Sequence, residues 1–284
     1  MPSFSVDVAV IGHFAKDKLV FGGNEEVASG GSVYYGAMAL RRLGLRVAVI
    51  TRLAKADFPR LDELKEAGIL VFAQPAEQTS GIRNVYFSAD MDRRLCTPLG
   101  FAGPFRLEDV PPLEAKIWLI GPLMAGEVDI PFVCAIAERG PVALDVQGFV
   151  RVREGNELVF RDWLEKEEGL AHVRFLKADD AEAQVLTGKA DLREAAKALA
   201  DYGPREIVLT HGKGVLVYAD DAVYEAPFMP RELKGRTGRG DTCFAAYLAR
   251  RLTSSPAEAC HFAARVTSLK MEAPGPFRGF PDEM

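Results

Sequence analysis

The chain is built from short apolar runs that alternate with amphipathic segments. Val6–Gly12 is almost continuously hydrophobic, and Ser32–Gly44 then carries apolar residues at helical spacing between a serine and a glycine. Arg46–Thr51 is again apolar and rich in β-branched residues. A short apolar run predicts a buried strand, whereas an apolar stripe every three to four residues predicts a helix. The three segments therefore predict one β-α-β unit with parallel strands.

The same alternation continues towards the C-terminus. Strands are predicted at 69–73, 116–121, 142–146, 173–178 and 206–210, and helices at 59–67, 130–139 and 192–202. Ser255-Pro256-Ala257-Glu258 is a capping box with proline at the first helical position, which predicts a final helix to about Glu272. Alternating strands and helices are typical of a doubly wound, mostly parallel sheet with helices on both faces. We expect residues 1–284 to form one such α/β domain.

Two segments depart from this alternation, because each has two β-rich halves around a polar tip. They are residues 80–99 and residues 214–226, and both predict hairpins. We expect the first hairpin to be a lid over the edge of the sheet. Since an isolated hairpin is marginally stable in water, an open apolar face with Ile82, Val85 and Phe87 predicts pairing with a second copy. The expected assembly is a homodimer through the lid.

Composition excludes several classes of protein. The 284 residues carry a net charge of -5, with a pI near 5.6, which argues against a nucleic-acid partner. No run of 18 apolar residues and no basic, apolar leader occurs, so neither a membrane span nor a signal peptide is predicted. The four cysteines show no CxxC spacing and are expected to be reduced. We expect a cytoplasmic protein.

A glycine-rich turn directly precedes a helical stretch at Thr237-Gly238-Arg239-Gly240-Asp241-Thr242. Gly238 and Gly240 permit a tight turn, which leaves N–H groups at the positive end of the helix dipole. Such a loop binds phosphate oxygens. The N–H groups of Gly238, Arg239 and Gly240 are the predicted anion site, with the Asp241 carboxylate beside it. Taken alone, the motif fits a simple N-cap at Asp241 equally well.

This segment resembles the C-terminal signature of the ribokinase-like (PfkB-type) carbohydrate kinases. Four further segments resemble motifs of that family and occur in the family's order: Gly12–Asp17, Gly30–Gly44, Leu176–Glu182 and Thr210–Gly214. The resemblance to the family extends from residue 7 to about residue 275, which is nearly the whole chain. Five ordered partial matches are far more specific than any one of them.

The resemblance implies an ATP-dependent phosphotransferase that moves the γ-phosphoryl group to a hydroxyl of a sugar, cyclic polyol or nucleoside. It implies Asp241 as the base, which is reasonable because phosphoryl transfer gains mainly from positioning and charge stabilisation. Mg²⁺ would be held through water by Asp179 and Glu182, whose spacing places them on one side of a helical turn. The nucleotide-binding residues that it implies are Thr210, Gly212, Gly214 and Thr237.

The acceptor is expected at the other end of the site. A carboxylate at Asp17 can accept two hydrogen bonds from vicinal hydroxyls, and Gly31 would let the substrate approach the backbone. The alternative for Asp17 is an ordinary surface turn. Further candidates for substrate binding are Ser32, Asn84, Arg94 and Asp145; for Asp145 a loop cap is an equal alternative.

The chain departs from the family pattern at two informative positions. Gly235 stands where the family usually has an aspartate tied to a monovalent-cation site, so potassium dependence is left open. Arg239 replaces a small residue, and we hypothesise that it adds positive charge near the phosphates. Two other classes are kept as alternatives. One is a pyridoxal-type vitamin kinase, which the lid disfavours, and the other is a binding or regulatory protein without catalysis, which Asp241 disfavours.

Overall fold

The computed structural model describes residues 4–86 and 94–280, and a single large sheet runs through them. Its strands are β1 (Phe4–Ile11), β4 (Val47–Ala54), β5 (Leu70–Ala76), β8 (Leu113–Ile120), β9 (Val142–Asp145), β12 (Phe175–Asp179), β13 (Glu206–His211), β14 (Gly214–Ala219) and β15 (Ala222–Pro227). They lie side by side in the order β15-β14-β13-β12-β9-β8-β1-β4-β5. From β13 to β5 all neighbours are parallel, and β14 and β15 add an antiparallel hairpin. The predicted α/β fold class is confirmed.

Helices cover both faces of this sheet. They are α1 (Ser32–Arg42), α2 (Asp62–Glu66), α3 (Ile130–Ala137), α4 (Gln147–Val150), α5 (Lys166–Leu170), α6 (Asp180–Thr187), α7 (Leu192–Asp201), α8 (Arg239–Arg251) and α9 (Pro256–Met271). Because side chains alternate along a strand, Val8 and Val10 of β1 pack into the core under α1, α8 and α9. Ala9 and Ile11 pack into the core under α3, α6 and α7.

The helix predicted at 59–67 is shorter than expected. Lys55–Leu61 is a 3₁₀ segment that contains Pro59, and the α-helical part is confined to α2. Proline has no N–H for an i→i−4 hydrogen bond, so the α-helix begins only after it. None of the helices in the described part of the chain combines the length and apolar character that crossing a bilayer requires.

A second, smaller sheet forms the lid. Its four strands are, in spatial order, β3 (Asn24–Gly30), β2 (Ala15–Phe21), β6 (Gly81–Tyr86) and β7 (Arg94–Gly100). The β6–β7 pair is the predicted hairpin, whose tip lies outside the described residues. The β2–β3 hairpin was not predicted. Its turn at Gly22 and Gly23 has φ of 54° and 85°, which suits the tight turns that join twisted strands.

The larger lid changes two expectations. The 80–99 hairpin is not isolated, because β6 pairs with β2, and Ile82 is buried within the same chain rather than open to a partner. Phe87 lies outside the described residues. Asp17 lies on strand β2 rather than on a turn. A second unpredicted hairpin, β10 (Arg151–Glu154) with β11 (Glu157–Phe160), follows α4.

Candidate active site

The anion loop, residues 234–241, leads into helix α8 and includes its first turn. Gly238 has a φ of 77°, and a Cβ there would lie 2.2 Å from the Tyr35 ring, so only glycine fits. The N–H of Arg239 donates to Arg236 O at 3.0 Å. Within the described residues, the N–H groups of Gly238, Gly240 and Asp241 make no backbone hydrogen bond. The loop therefore offers these three amides to an anion, and the predicted Arg239 amide is engaged in a turn.

Asp241 lies where the N-termini of α1 and α8 meet. The hydroxyl of Ser32 donates to Asp241 Oδ1 at 2.5 Å. Gly31, with a φ of 84°, lets α1 begin here, since a Cβ at this position would lie 2.7 Å from His13 O. Ser32 thus holds one carboxylate oxygen of Asp241 at the point where the two helices meet.

A buried lysine lies beneath the anion loop, and sequence reasoning missed it. The Lys177 ammonium is 3.1 Å from Asp145 Oδ1 and 3.4 Å from Glu182 Oε2. It also lies 3.5 Å from where a Cβ on Gly240 would be. Burial opposes its charge, but the carboxylates of Asp145 and Glu182 outweigh burial and raise the pKa of Lys177. A charged residue inside the buried strand Phe175–Asp179 was the available signal.

Asp145 is committed to this cluster. Its Oδ1 also accepts the Gln147 N–H at 3.1 Å, and the side chain is buried. Burial raises the pKa of Asp145, the Lys177 charge opposes this, and the nearby Asp241 charge adds to it. The structure therefore places Asp145 beneath the loop as a partner of Lys177.

Asp179 and Glu182 form a reciprocal capping box at the start of α6. Glu182 Oε2 accepts the Asp179 N–H at 2.7 Å, and Asp179 Oδ1 accepts the Glu182 N–H at 2.8 Å. Burial raises the pKa of Glu182 to about 7, against the Lys177 charge. Glu182 Oε1 is buried without a hydrogen-bond partner.

A Mg²⁺ ion fits this cluster only through water. No group of three or more Asp, Glu, His or Cys side chains in residues 4–86 and 94–280 is close enough to hold a metal directly. The unpartnered Glu182 Oε1 can accept a hydrogen bond from a metal-bound water, and Mg²⁺ commonly keeps several waters.

The acceptor candidates lie on the inner face of the lid. Asp17 Oδ1 accepts the Ile82 N–H at 2.8 Å. Gly30, which was not predicted as a site residue, makes room for Asp17, because a Cβ there would lie 2.5 Å from Asp17 Oδ2. Across the lid, the Cys96 thiol donates to Asn84 Oδ1 at 3.3 Å. Arg94 begins β7, but its side chain lies outside the described part of the structure.

The four predicted nucleotide contacts do not form one group. Thr210 Oγ1 is 3.8 Å from where a Cβ on Gly240 would be, which places it beside the anion loop. Thr237 Oγ1 instead faces the lid, 3.4 Å from the Tyr86 hydroxyl. Gly212 has open space where a side chain would be, whereas Gly214 is packed against the carbonyl of Ala226.

Arg239 lies across an aromatic ring beside the loop. Its guanidinium carbon is 5.9 Å from the centre of the Phe228 ring. Burial, followed by the charge of Arg236, lowers the pKa of Arg239. Among the described residues Arg239 makes no salt bridge. A half-buried cation without a carboxylate partner carries a desolvation cost, so an anion bound at the loop would stabilise it.

A cavity of about 310 Å³ separates the inner face of the lid from the anion loop. Leu19 and Ala28 line it from the lid, and Tyr35, Thr237 and Lys270 line it from the opposite side. The site therefore has two ends. We call the anion loop with Asp241 and Lys177 the phosphate end, and the inner face of the lid with Asp17 and Asn84 the lid end. This is the arrangement expected of an enzyme that joins a phosphate donor to an acceptor.

Residues 12–282 match the family model described as pfkB family carbohydrate kinase. The chain belongs to this family, and the expected kinase activity is confirmed at that level. An Arabidopsis thaliana ribokinase complexed with ribose and ATP is 18% identical with a TM-score of 0.76, covering 98% of this chain and 96% of its own. At that identity it supports the fold alone.

Two further relatives have a higher sequence identity to this chain. A solved pyrophosphate-dependent kinase in the ribokinase family, complexed with a pyrophosphate analog and myo-inositol, is 38% identical. Its TM-score is 0.89, and the match covers 95% of this chain and 97% of that one. A cytidine kinase of Thermococcus kodakarensis is 27% identical over 270 residues, which is 90% of this chain and 92% of the relative.

Proposed function

We propose that the chain transfers a phosphoryl group from pyrophosphate to a ring hydroxyl of a cyclic polyol of the myo-inositol type. The observation that carries this choice is the position of Arg239. Its guanidinium packs over the buried Phe228 ring beside the anion loop, and it has no carboxylate partner among the described residues. Pyrophosphate has no base to stack but carries dense negative charge. The 38% identity to a pyrophosphate-dependent kinase supports the same donor.

The transfer step follows from Asp241 and the anion loop. The acceptor oxygen attacks the terminal phosphorus while its proton passes to Asp241. A new P–O bond forms, the bridging P–O bond breaks, and its electron pair leaves with orthophosphate. The N–H groups of Gly238, Gly240 and Asp241 stabilise the charge on the transferred group. Ser32, which donates to Asp241 Oδ1, keeps the other carboxylate oxygen directed at the acceptor.

Lys177 supplies fixed positive charge under the loop. Its ammonium is buried between Asp145 and Glu182, so it does not need to reorganise during transfer. Mg²⁺, when bound, neutralises part of the donor's charge, and Asp179 and Glu182 would hold it through water.

The lid positions the polyol. Asp17 and Asn84 present oxygen and amide groups on its inner face, and both are buried. A carboxylate and an amide together bind neighbouring hydroxyls of a ring as acceptor and donor. Because both side chains are buried, an acceptor that lacks one of these hydroxyls would bind at a cost. This favours an acceptor with a full set of hydroxyls. Arg94 is retained as a further acceptor contact.

ATP, which the family resemblance implied, is the second candidate donor, with a nucleoside as acceptor. The match to a cytidine kinase favours it. The open space at Gly212 would accommodate part of a nucleotide beyond the loop.

A donor-by-acceptor matrix tests the proposal. Pyrophosphate and ATP are each paired with myo-inositol, ribose and cytidine, and products are followed by ³¹P NMR. We expect an inositol phosphate and orthophosphate from the pyrophosphate–inositol pair, and none with Asp241→Asn. Turnover with ATP and cytidine but not with pyrophosphate would establish the second candidate instead. Binding of pyrophosphate without turnover of any pair would contradict catalysis.

We also retain a homodimer through the lid as a proposal. The outer lid surface includes Val27 on β3, which is 43% exposed. Sedimentation velocity at micromolar concentration is expected to show a dimer that Val27→Lys weakens, and a monomer for the wild type would contradict it.

A further inference from the structure

Lys270 is a second buried lysine near the site, at the end of α9. Its side chain is almost fully enclosed, with a relative exposure of 2%. The ammonium donates to Gly235 O at 3.0 Å and lies 5.5 Å from the centre of the Tyr35 ring. Among the described residues it makes no salt bridge. A buried cation that is held by a carbonyl and an aromatic face, rather than by a carboxylate, costs stability.

The segment that Lys270 holds is the start of the anion loop. The N–H groups of Lys234 and Gly235 both donate to Met271 O, at 2.9 and 3.0 Å. The two backbones are so close that a Cβ at position 235 would lie 2.4 Å from Ala273 O. The loop is thus attached to the end of α9 by two backbone hydrogen bonds and by the Lys270 ammonium. Tyr35, beneath that ammonium, also supports Gly238.

The groups around Lys270 link it to the reacting atoms. Burial is the largest influence and lowers the pKa of Lys270 to about 8; the Asp241 charge opposes this and the Arg239 charge adds to it. From the other packed elements, the Tyr35 hydroxyl on α1 and the Arg236 guanidinium in the loop face the same cavity. Lys234 is 52% exposed and pairs with Glu232 at 2.7 Å.

We infer that Lys270 is a positioning residue, whose ammonium acts as a built-in cation that orders the anion loop and adds positive charge near Asp241. The inference rests on the proposed phosphoryl transfer, but it holds for either donor. The bond to Gly235 O fixes the loop in the conformation that presents the amides of Gly238, Gly240 and Asp241. Because the cation belongs to the chain, turnover needs no added monovalent cation.

Two consequences have opposite signs. The cation is present below pH 8, so turnover falls as the pH rises through about 8 and the ammonium loses its proton. The free energy of unfolding changes in the opposite direction and rises with pH, because the lysine of the unfolded chain keeps its proton to a higher pH than the buried Lys270 does. Removing the charge therefore leaves the melting temperature unchanged or raises it. A merely structural lysine would lower the melting temperature when removed.

The test compares Lys270→Met and Lys270→Ala with Lys197→Met, which removes an exposed lysine of α7 outside the site. Each is assayed with whichever donor and acceptor support turnover, in buffers whose only monovalent cation is tetramethylammonium. We expect the wild type to be active without K⁺. Both Lys270 variants should lose about tenfold or more in kcat and show no break near pH 8. Lys270→Met, which fills the same space, should show no decrease in melting temperature, whereas the cavity left by Lys270→Ala can lower it. Methylammonium, NH₄⁺ or K⁺ should restore part of the activity of Lys270→Ala, whereas Lys197→Met should stay within about twofold of the wild type.

Unchanged kcat in Lys270→Met, or a wild type that requires K⁺, would overturn the inference. A lower melting temperature with no rescue would also overturn it, because that is the pattern of a structural residue. Turnover with ATP but not pyrophosphate would overturn the proposed donor and leave this test intact. If no pair supports turnover, calorimetric titration with pyrophosphate replaces kcat: weaker binding to Lys270→Met than to Lys197→Met supports the inference, and equal binding contradicts it.

Discussion

The phosphate end and the lid end of this site are built in different ways. At the phosphate end, the anion loop, Asp241 and Lys177 lie at the carboxyl edge of the parallel sheet and at a helix N-terminus, which belong to the main core. At the lid end, Asp17 and Asn84 lie on a four-stranded sheet added outside that core. Ligands of open α/β sheets bind at such a carboxyl edge. The difference suggests that the reaction is carried by the core, while acceptor choice can vary with the lid.

Asp241→Asn is the change with the largest expected effect on this comparison. The amide cannot take up the acceptor proton, yet it keeps the size of the side chain and can still accept from Ser32. We expect kcat to fall by about a thousandfold, with KM for both substrates within a few-fold of the wild type. Steady-state kinetics measure this, with Asp180→Asn, on the exposed start of α6, as control. Full activity in Asp241→Asn would remove the base from the mechanism.

Arg239→Met tests the donor side separately. Loss of a cation that lies beside the loop without a carboxylate partner should weaken a phosphate-rich donor by about tenfold to a hundredfold. The effect should fall on KM for pyrophosphate and leave KM for the acceptor unchanged. The control is Arg193→Met, which removes an exposed arginine paired with Glu225. Unchanged kinetics for Arg239→Met would mean that Arg239 does not contact the donor.

Much of the core side could be predicted from local sequence. Buried apolar runs indicate strands, and the Gly238-Arg239-Gly240 turn before a helix indicates the anion loop. The capping box at Ser255 forms as predicted, with Ser255 Oγ accepting the Glu258 N–H. These signals are local, because a few neighbouring residues decide each of them.

The misses have physical reasons as well. Lys177 meets Asp145 across 32 residues, and Lys270 meets Gly235 across 35, so no local pattern shows either pair. The β2–β3 hairpin left only a weak signal, the two glycines at positions 22 and 23 that follow Ala15–Phe21. The charged residues along it made the segment look like a surface turn. The lid was therefore predicted at half its size.

Asn84→Leu tests the lid side. Leucine has nearly the same volume but removes the amide from the inner face, so it should raise the acceptor KM by about tenfold. The donor KM should not change. Arg83→Met is a close control, because Arg83 is the neighbouring residue on the same strand but pairs with Glu25 on the exposed side. An equal increase in the KM values of acceptor and donor would mean that the lid and the core do not act separately.

Glu182→Gln gives the smallest expected effect and probes the charge balance beneath the loop. Burial raises the pKa of Glu182 from 4.5 to about 7, so the folded state binds a proton more tightly than the unfolded state. The corresponding stability is fully present below pH 4.5 and is lost as the pH rises to about 7. Glutamine has no such titration. The variant should therefore gain stability relative to the wild type over this window, on the order of 1–3 kcal/mol, or a few degrees in melting temperature.

Glu258→Gln is the matched control, because Glu258 occupies the same position in the exposed capping box of α9. Hydrogen bonds from Ser255 lower the pKa of Glu258, so its contribution has the opposite sign: it is present above pH 4.5 and lost in acid. Between pH 4.5 and 8, the difference in melting temperature between Glu182→Gln and the wild type should therefore grow with pH. The difference for Glu258→Gln should stay constant over that range and change only below pH 4.5. Parallel curves for Glu182→Gln and the wild type would mean that Lys177 already keeps the Glu182 carboxylate charged throughout.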